Sequence, residues 1–173
     1  NDLMSLGTAI LQRRERLAQA IADLEERYWN NEPIEALVAA LAHAFDSIIA
    51  ALWQQHFANS DGCALFAVGG YGRAELHPGS DIDILVLTQK SNPHREAVEA
   101  FLRDLFDLNV EVGHSVRDVK TCVRECRSDI TIATALFERR FLCGDEALVA
   151  PLENALAHPR VWPVEDFFVA KRD

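Results

Sequence analysis

The stretch that decides the fold is GGYGRAELHPGSDIDILVL, residues 69–87. Three of its first four residues are glycine, which predicts a turn whose backbone can approach a ligand closely. A proline–glycine pair marks a second turn, and the apolar pattern of residues 80–87 predicts a strand. Asp81 and Asp83 are two apart on that strand. Both carboxylates are therefore expected on one face, with Cα atoms about 6.6 Å apart.

Two carboxylates held this close repel each other, and a divalent cation between them relieves the repulsion. Mg²⁺ prefers hard oxygen ligands and binds through a few carboxylates together with substrate phosphates. Asp-x-Asp alone is a weak signal, because many such pairs are solvated strand ends. If residues 73–76 begin a helix, its N-terminus and Arg73 favour a bound phosphate. The alternative is a plain glycine turn with Arg73 in solvent.

Glu111 is the third candidate ligand. Residues 109–116 alternate and predict a third strand, on which Glu111 shares a face with Gly113. An acidic residue in such a strand is locally unfavourable, and conflicts of this kind often mark functional positions. If the strand lies beside the second one, Asp81, Asp83 and Glu111 can hold two Mg²⁺ ions about 3.5–4 Å apart, as in nucleotidyl transfer. The alternative for Glu111 is an exposed strand residue.

The rest of the chain predicts helices around a small sheet. Residues 3–28 and 33–58 have apolar residues at helical spacing, with Pro33 in the first turn of the second helix. Residues 63–68 form a short apolar run between glycines, which predicts a buried strand. Gly144 is expected to stop the third of the later helices. Those later helices are predicted over residues 93–108, 118–127, 129–143 and 146–157.

The predicted fold class is α/β (α+β), a small mixed sheet flanked by helices, with an N-terminal helical extension. Three parts follow from the pattern: a helical segment over residues 1–58, a core over 59–145, and the start of a helical region over 146–173. The last part ends within an amphipathic element. We therefore expect the chain to be a fragment of a longer polypeptide.

Composition limits the partners. The 173 residues are 49% hydrophobic and 25% charged, which is typical of a globular protein. A net charge of −10 disfavours nucleic acid as a partner. No apolar run is expected to span a membrane and no signal peptide opens the chain, so no membrane partner is predicted. Four scattered cysteines favour a reducing, cytoplasmic setting, and Cys122 and Cys126 are better explained as buried thiols than as half of a zinc site.

Residues 69–87 resemble the signature of the nucleotidyltransferase superfamily, a glycine pair after one strand and Asp-x-Asp on the next. More narrowly, the chain resembles the N-terminal catalytic domain of bacterial PII uridylyltransferase/uridylyl-removing enzymes. VEVGHSVRDVKTC (residues 110–122) is similar to the family's third-carboxylate strand, and SDITIATALFERRFLCGD (residues 128–145) is similar to the helix that follows it. The likeness covers about residues 37–145 and implies the fold of DNA polymerase β.

The resemblance implies transfer of UMP from UTP to a tyrosine hydroxyl of the PII signalling protein, with release of pyrophosphate. It implies that Asp81, Asp83 and Glu111 are the catalytic ligands of Mg²⁺, with Mn²⁺ as a substitute. The family usually has glycine at the position of Ala74, so a backbone that needs positive φ there would be strained. The nucleotide-binding residues that it implies are Gly69, Gly70, Tyr71, Gly72, Arg73 and Ser80.

Three alternatives stay open: a protein adenylyltransferase, a small-molecule nucleotidyltransferase of the same fold, and a nucleotide-binding module without catalysis. The family also has a His-Asp hydrolase domain and glutamine-sensing domains further along. No His-Asp dipeptide occurs in this sequence, so uridylyl-removing activity is not expected of it. Glutamine would act through domains outside these residues.

Overall fold

Two long helices open the fold. The computed structural model describes residues 2–58 and 62–158, except for the side chains of residues 2–4 and 6. Helix α1 spans Asp2–Trp29 and helix α2 spans Ile34–His56. Pro33 lies at the N-cap of α2, where its missing N–H leaves no donor unsatisfied.

A mixed four-stranded sheet forms the centre, with strand order β3-β2-β1-β4. Strand β1 pairs antiparallel with β2 and with β4, whereas β2 and β3 are parallel. The mixed sheet flanked by helices confirms the predicted fold class. The strands are β1 (Cys63–Ala67), β2 (Ile82–Thr88), β3 (Val112–Arg117) and β4 (Arg140–Gly144). The remaining helices are α3 (Gly69–Gly72), α4 (Arg95–Phe106), α5 (Val119–Ser128), α6 (Ile130–Phe137) and α7 (Val149–Leu156), with a 3₁₀ turn at Glu146–Leu148.

Separate hydrophobic clusters cover the two faces of the sheet. Ile82, Ile84 and Val86 of β2 belong to the cluster formed with α1, α2 and α4. Leu85 and Leu87 belong to the cluster formed with α5, α6 and α7. Because side chains alternate along a strand, Asp83 faces the α5–α7 side together with these leucines. This alternation determines the face on which the candidate site lies.

Residues 129–143 are not one helix, and this prediction was wrong. Helix α6 ends at Phe137, and residues 140–144 form strand β4 beside β1. Pairing with β4 provides partners for the N–H and C=O groups on this edge of the buried strand β1. Gly144 has φ +103°, and a Cβ there would lie 2.6 Å from the Cys63 carbonyl oxygen. It is therefore needed for close strand approach rather than for stopping a helix.

The second and third strands also begin later than predicted. Strand β2 starts at Ile82 and β3 at Val112, so Asp81 and Glu111 each precede their strand by one residue. Asn109 has a left-handed backbone with φ 59°, which is incompatible with an extended strand. The predicted divisions at residues 58 and 145 stay predictions, and residues 59–61 and 159–173 lie outside the described residues.

Helix α2 corrects the expectation that no apolar segment of the chain is long enough to span a membrane. In the described part of the chain it is the one helix long and apolar enough, by length and composition, to cross a membrane. Within the fold, its residues Leu41, Ile49, Leu52 and Trp53 are buried. The helix contacts α1, α4 and β4. Burial inside the domain therefore accounts for its apolar composition.

The four cysteines are free thiols. Burial raises the pKa of Cys122 to about 12 and that of Cys126 to about 11. Zinc binds the thiolate, which this burial disfavours. The interpretation of the pair as buried thiols is supported.

Candidate active site

The glycine stretch folds into α3, a single helical turn directly after β1. The N–H of Gly72 donates to the Val68 carbonyl and that of Arg73 to the Gly69 carbonyl, both at 3.1 Å. Residues 73–76, predicted to begin a helix, instead follow the end of this turn. Ala74 has φ 57°, the left-handed conformation that commonly terminates helices. The helical turn therefore lies at Gly69–Gly72, before the residues at which the sequence predicted a helix to begin.

Asp83 lies between two glycines that belong to different elements. A Cβ on Gly69 would lie 3.4 Å from Asp83 Oδ2, and a Cβ on Gly113 would lie 2.2 Å from Oδ1. The carboxylate thus occupies space that any other residue at position 113 would need. The strand register agrees with this close contact, because Asp83 of β2 pairs with Gly113 of β3. The structure therefore places a carboxylate directly beside the glycine turn.

Asp81 and Glu111 lie at the same end of these strands. Ile82 pairs with Val112, and the Ile82 N–H donates to the Glu111 carbonyl at 2.9 Å. Continuing the register back by one residue sets Asp81 opposite Glu111, on the face of Asp83. Both side chains are exposed. Among the described residues, no group of three or more His, Cys, Asp or Glu is arranged as a ready metal site.

The electrostatics of this sheet edge fit a hard divalent cation. Burial, and after it the neighbouring charge of Asp81, raise the pKa of Asp83 above its usual range. A positive ion beside the pair would relieve both the desolvation and the like-charge repulsion. The donors are carboxylate oxygens, which Mg²⁺ and Mn²⁺ accept. Two exposed side chains, Asp81 and Glu111, must turn inward to complete such a site.

Arg73 and Ser80 both have partners within the loop after α3. Arg73 is paired with Glu138 at 2.5 Å and with Glu75 at 3.2 Å, so it is not simply in solvent. The hydrogen bond to Glu138 is the main reason that the pKa of Arg73 is raised. The Ser80 hydroxyl oxygen accepts from the His77 N–H at 3.0 Å. That hydroxyl retains its own proton for donation.

Tyr71 and Gly72 face the interior. The Tyr71 side chain is buried, and its hydroxyl donates to Asp46 Oδ1 at 2.7 Å. A Cβ on Gly72 would lie 2.0 Å from the Glu138 carbonyl oxygen, so the turn packs tightly on the α6–β4 connection. The Tyr71 side chain, predicted to bind nucleotide, is therefore turned away from a nucleotide and into the domain. The contact with Asp46 of α2 has no signal in the sequence, because the partners are 25 positions apart on separate elements.

A cavity of about 310 Å³ adjoins Asp83 beneath α6. Its polar lining beyond Asp83 includes Ser115, Arg117 and Thr131. Arg117 Nη1 donates to Ser115 Oγ at 3.0 Å, and the same guanidinium pairs with Glu125. The volume is at the lower end of the range for small-molecule sites. Sequence reasoning missed Arg117 and Thr131, which reach this cavity only because α6 folds back over β3.

Ala74→Gly is expected to stabilise the domain slightly. The left-handed backbone costs a residue with a Cβ about 1–2 kcal/mol, whereas glycine adds an entropic cost of about 0.5–1 kcal/mol. The difference, about 0.5 kcal/mol, raises Tm by about 2 °C in thermal unfolding. The matched control is Ala22→Gly in the exposed face of α1, expected to lower stability by about 1 kcal/mol. A fall in Tm for both variants contradicts the strain at position 74.

Gly113→Ala is expected to displace the Asp83 carboxylate rather than unfold the domain. The added methyl overlaps a side-chain oxygen that can rotate away, and Gly113 does not have a positive φ. Misplacing a reacting group by about 1 Å can cost up to about a hundredfold in rate, so we expect about a tenfold loss of the nucleotidyl transfer that the resemblance implies. Activity and Tm should be measured together. Val116→Ala on the other face of β3 is the control, and equal activity of both variants contradicts the prediction.

A glycine turn after one strand, Asp-x-Asp at the start of the next and an acidic residue directly before a third define the class of the molecule. The chain belongs to the nucleotidyltransferase domain family, whose model matches residues 52–142. This membership confirms the superfamily predicted from residues 69–87.

The particular relatives are uridylyltransferases. The chain is 41% identical over 167 residues to the bifunctional uridylyltransferase/uridylyl-removing enzyme of Pseudomonas putida (strain GB-1), an alignment that covers 95% of this chain and 18% of that protein. It is 42% identical over 152 residues to the enzyme of the same name from Pseudomonas entomophila (strain L48), covering 86% and 17%. The corresponding Pseudomonas fluorescens (strain SBW25) protein is 40% identical over 174 residues, covering 99% and 19%. The chain thus spans about a fifth of the length of these relatives, and the predicted resemblance is confirmed.

Proposed function

We propose that this chain transfers UMP from UTP to a tyrosine hydroxyl of a PII signalling protein and releases pyrophosphate. The observation that carries the proposal is the Asp83 carboxylate, which lies between Gly69 of the turn and Gly113 of β3. This arrangement brings an acidic group next to the backbone proposed to bind phosphates. The relatives' name, uridylyltransferase, supports UTP as the donor.

The glycine turn binds the triphosphate in this proposal. The first N–H groups of a helical turn have no partner within it, so those of Gly69 and Gly70 can donate to β- and γ-phosphate oxygens. Ser80 adds its hydroxyl proton, since its oxygen already accepts from the His77 N–H. Arg73 contributes positive charge from the end of the turn, and a phosphate competes there with Glu75 and Glu138 for its guanidinium.

Asp81, Asp83 and Glu111 would hold Mg²⁺ or Mn²⁺. Such ions would neutralise the triphosphate and favour the deprotonated form of the attacking hydroxyl. Asp83 is the half-buried member of the set, and its carboxylate occupies space that the missing side chains of Gly69 and Gly113 leave open. Asp81 and Glu111 are exposed, so both would have to turn toward it to complete the set.

The acceptor oxygen of tyrosine attacks the α-phosphorus of UTP. A new P–O bond forms to tyrosine, the bond from the α-phosphorus to the bridging oxygen breaks, and pyrophosphate leaves with that electron pair. Glu111, at the exposed rim, accepts the tyrosine proton. The cavity beside Asp83 takes the nucleoside, with Ser115 and Arg117 as its polar wall.

Labelling with [α-³²P]UTP tests the proposal. With Mg²⁺ and added PII, we expect label on a PII tyrosine, lost on addition of a chelator. Asp81→Asn is expected to abolish labelling, whereas Asp23→Asn, an exposed carboxylate on α1, is the control. Label from [α-³²P]ATP in place of UTP points to an adenylyltransferase. Nucleotide binding without any transfer points to a binding module. Either result overturns the proposal.

A further inference from the structure

The glycine turn is attached to two distant elements. Tyr71 donates its hydroxyl proton to Asp46 of α2 at 2.7 Å. Arg140 of β4 donates through Nη2 to the Tyr71 carbonyl at 3.0 Å and through Nε to the Gly72 carbonyl at 3.4 Å. Both carbonyls are at the end of α3, and that of Tyr71 also accepts from the Ala74 N–H at 3.0 Å. Both the side chain and the backbone of the turn are thus held from outside.

The two holding residues are also bound to each other. Arg140 Nη1 donates to Asp46 Oδ2 at 2.7 Å, and Nη2 donates to Oδ1 at 3.2 Å, across 94 positions of sequence. The Arg140 guanidinium carbon lies 5.3 Å from the centre of the Tyr71 ring. Both ionic side chains are about three-quarters shielded from solvent. A partly buried two-point pair of this kind fixes orientation as well as distance.

The turn needs such an external constraint. It has four residues, three of them glycine, and glycine has the largest backbone freedom of any residue. Its distance from Asp83 matters, since a Cβ on Gly69 would be only 3.4 Å from that carboxylate. A small shift of the turn would move its N–H groups relative to the acidic side chains. Loss of alignment by about 1 Å is enough to reduce rates strongly.

We infer that Asp46 and Arg140 are positioning residues, which hold the glycine turn beside Asp83 and thereby determine nucleotide affinity. The inference rests on the proposed function and extends it to residues outside the carboxylate site. Neither residue needs to touch the nucleotide, because Arg140 already donates to Asp46 and to two carbonyls of the turn. Their effect is transmitted through the backbone of Tyr71 and Gly72.

Arg140→Gln and Asp46→Asn test the inference, because each removes charge while keeping a similar shape. The matched control is Arg139→Gln. Arg139 is the neighbouring residue, but its guanidinium pairs with Glu153 of α7 at 2.5 Å. Three properties are measured: the Kd for MgUTP without acceptor, hydrogen exchange of the amides in residues 69–73, and Tm.

Both test variants are expected to bind MgUTP about tenfold more weakly, as for loss of one charge-assisted hydrogen bond. Their amides in residues 69–73 should exchange faster at temperatures where β1 stays protected. Arg139→Gln should match the unchanged protein in both readouts. If Arg140→Gln fails to fold, Asp46→Asn decides the outcome.

Unchanged affinity and unchanged exchange in folded variants overturn the inference, even if Tm falls, because the residues then only stabilise the fold. The same loss in Arg139→Gln also overturns it. If the unchanged protein binds no MgUTP, the proposed function and the nucleotide part of the inference are both contradicted. Faster exchange confined to residues 69–73 would then still show that Asp46 and Arg140 hold the turn.

Discussion

Asp83→Asn is expected to reduce the proposed UMP transfer by at least about a hundredfold, the loss typical of removing one preorganised electrostatic group from an active site. Asp83 is the half-buried carboxylate of the site, and it lies in the space between Gly69 and Gly113. Asparagine fills the same space but cannot balance the charge of a divalent ion. The measurement is the initial rate of labelling from [α-³²P]UTP at saturating Mg²⁺.

The same substitution is expected to stabilise the domain at neutral pH. Burial and Asp81 raise the pKa of Asp83, so its charged form is disfavoured in the folded state. Between the unfolded and the folded pKa the folded state binds more protons, and stability falls as pH rises through this interval. Asparagine cannot ionise. The higher folding stability of the variant is therefore present above the folded pKa of Asp83. It disappears below about pH 3.9, the ordinary pKa of aspartate.

Thermal unfolding at neutral and acidic pH checks the expected stabilisation by Asp83→Asn. The control is Asp23→Asn on the exposed face of α1, which should change neither the rate nor the pH dependence. An Asp83→Asn protein that is less stable at neutral pH would mean that the carboxylate is structural. Retained activity in that variant would remove Asp83 from the catalytic set.

Gly72→Ala is expected to have the largest effect on stability. The new methyl would lie 2.0 Å from the Glu138 carbonyl oxygen and 3.0 Å from that of Ala67. Both are backbone atoms of packed elements, so neither can rotate away as a flexible side chain would. Overpacking of this kind costs about 3 kcal/mol or more. For a chain of this size, that corresponds to a fall in Tm of about 10 °C.

Gly70→Ala in the same turn is the matched control for folding. Its methyl would meet Arg73 and the Glu75 carbonyl at 3.6 Å, an ordinary contact distance. We expect a Tm within about 2 °C of the unchanged protein, as for a substitution without steric conflict. Equal Tm values for the two variants would contradict the tight packing of α3 on the α6–β4 connection.

The face of β2 on which Asp83 lies was predictable, because the alternation of side chains along a strand is a local property. Period two along β2 separates Ile82 and Ile84 from Asp83 in any fold that keeps the strand. The expected shared face of Glu111 and Gly113 stays a prediction, because the strand that carries Gly113 starts at Val112. The left-handed Ala74 also agrees with the strain expected there.

The course of residues 128–145 was not predictable in the same way. Their apolar residues suit a helix by spacing, yet residues 140–144 pair with β1, which lies more than 70 positions earlier. That choice depends on the hydrogen-bonding edge that β1 leaves open. The inward direction of Tyr71 likewise depends on Asp46 and Arg140, which meet only in the folded chain.

The sequence by itself determined the class of the molecule and predicted which acidic residues form its site, because glycine freedom and strand alternation act between near neighbours in the chain. Tertiary structure alone decided which residues contact the glycine turn, which strand pairs with the free edge of β1 and which carboxylate is half-buried. These depend on burial and hydrogen bonding between distant segments, whose free energies no local pattern of residues records.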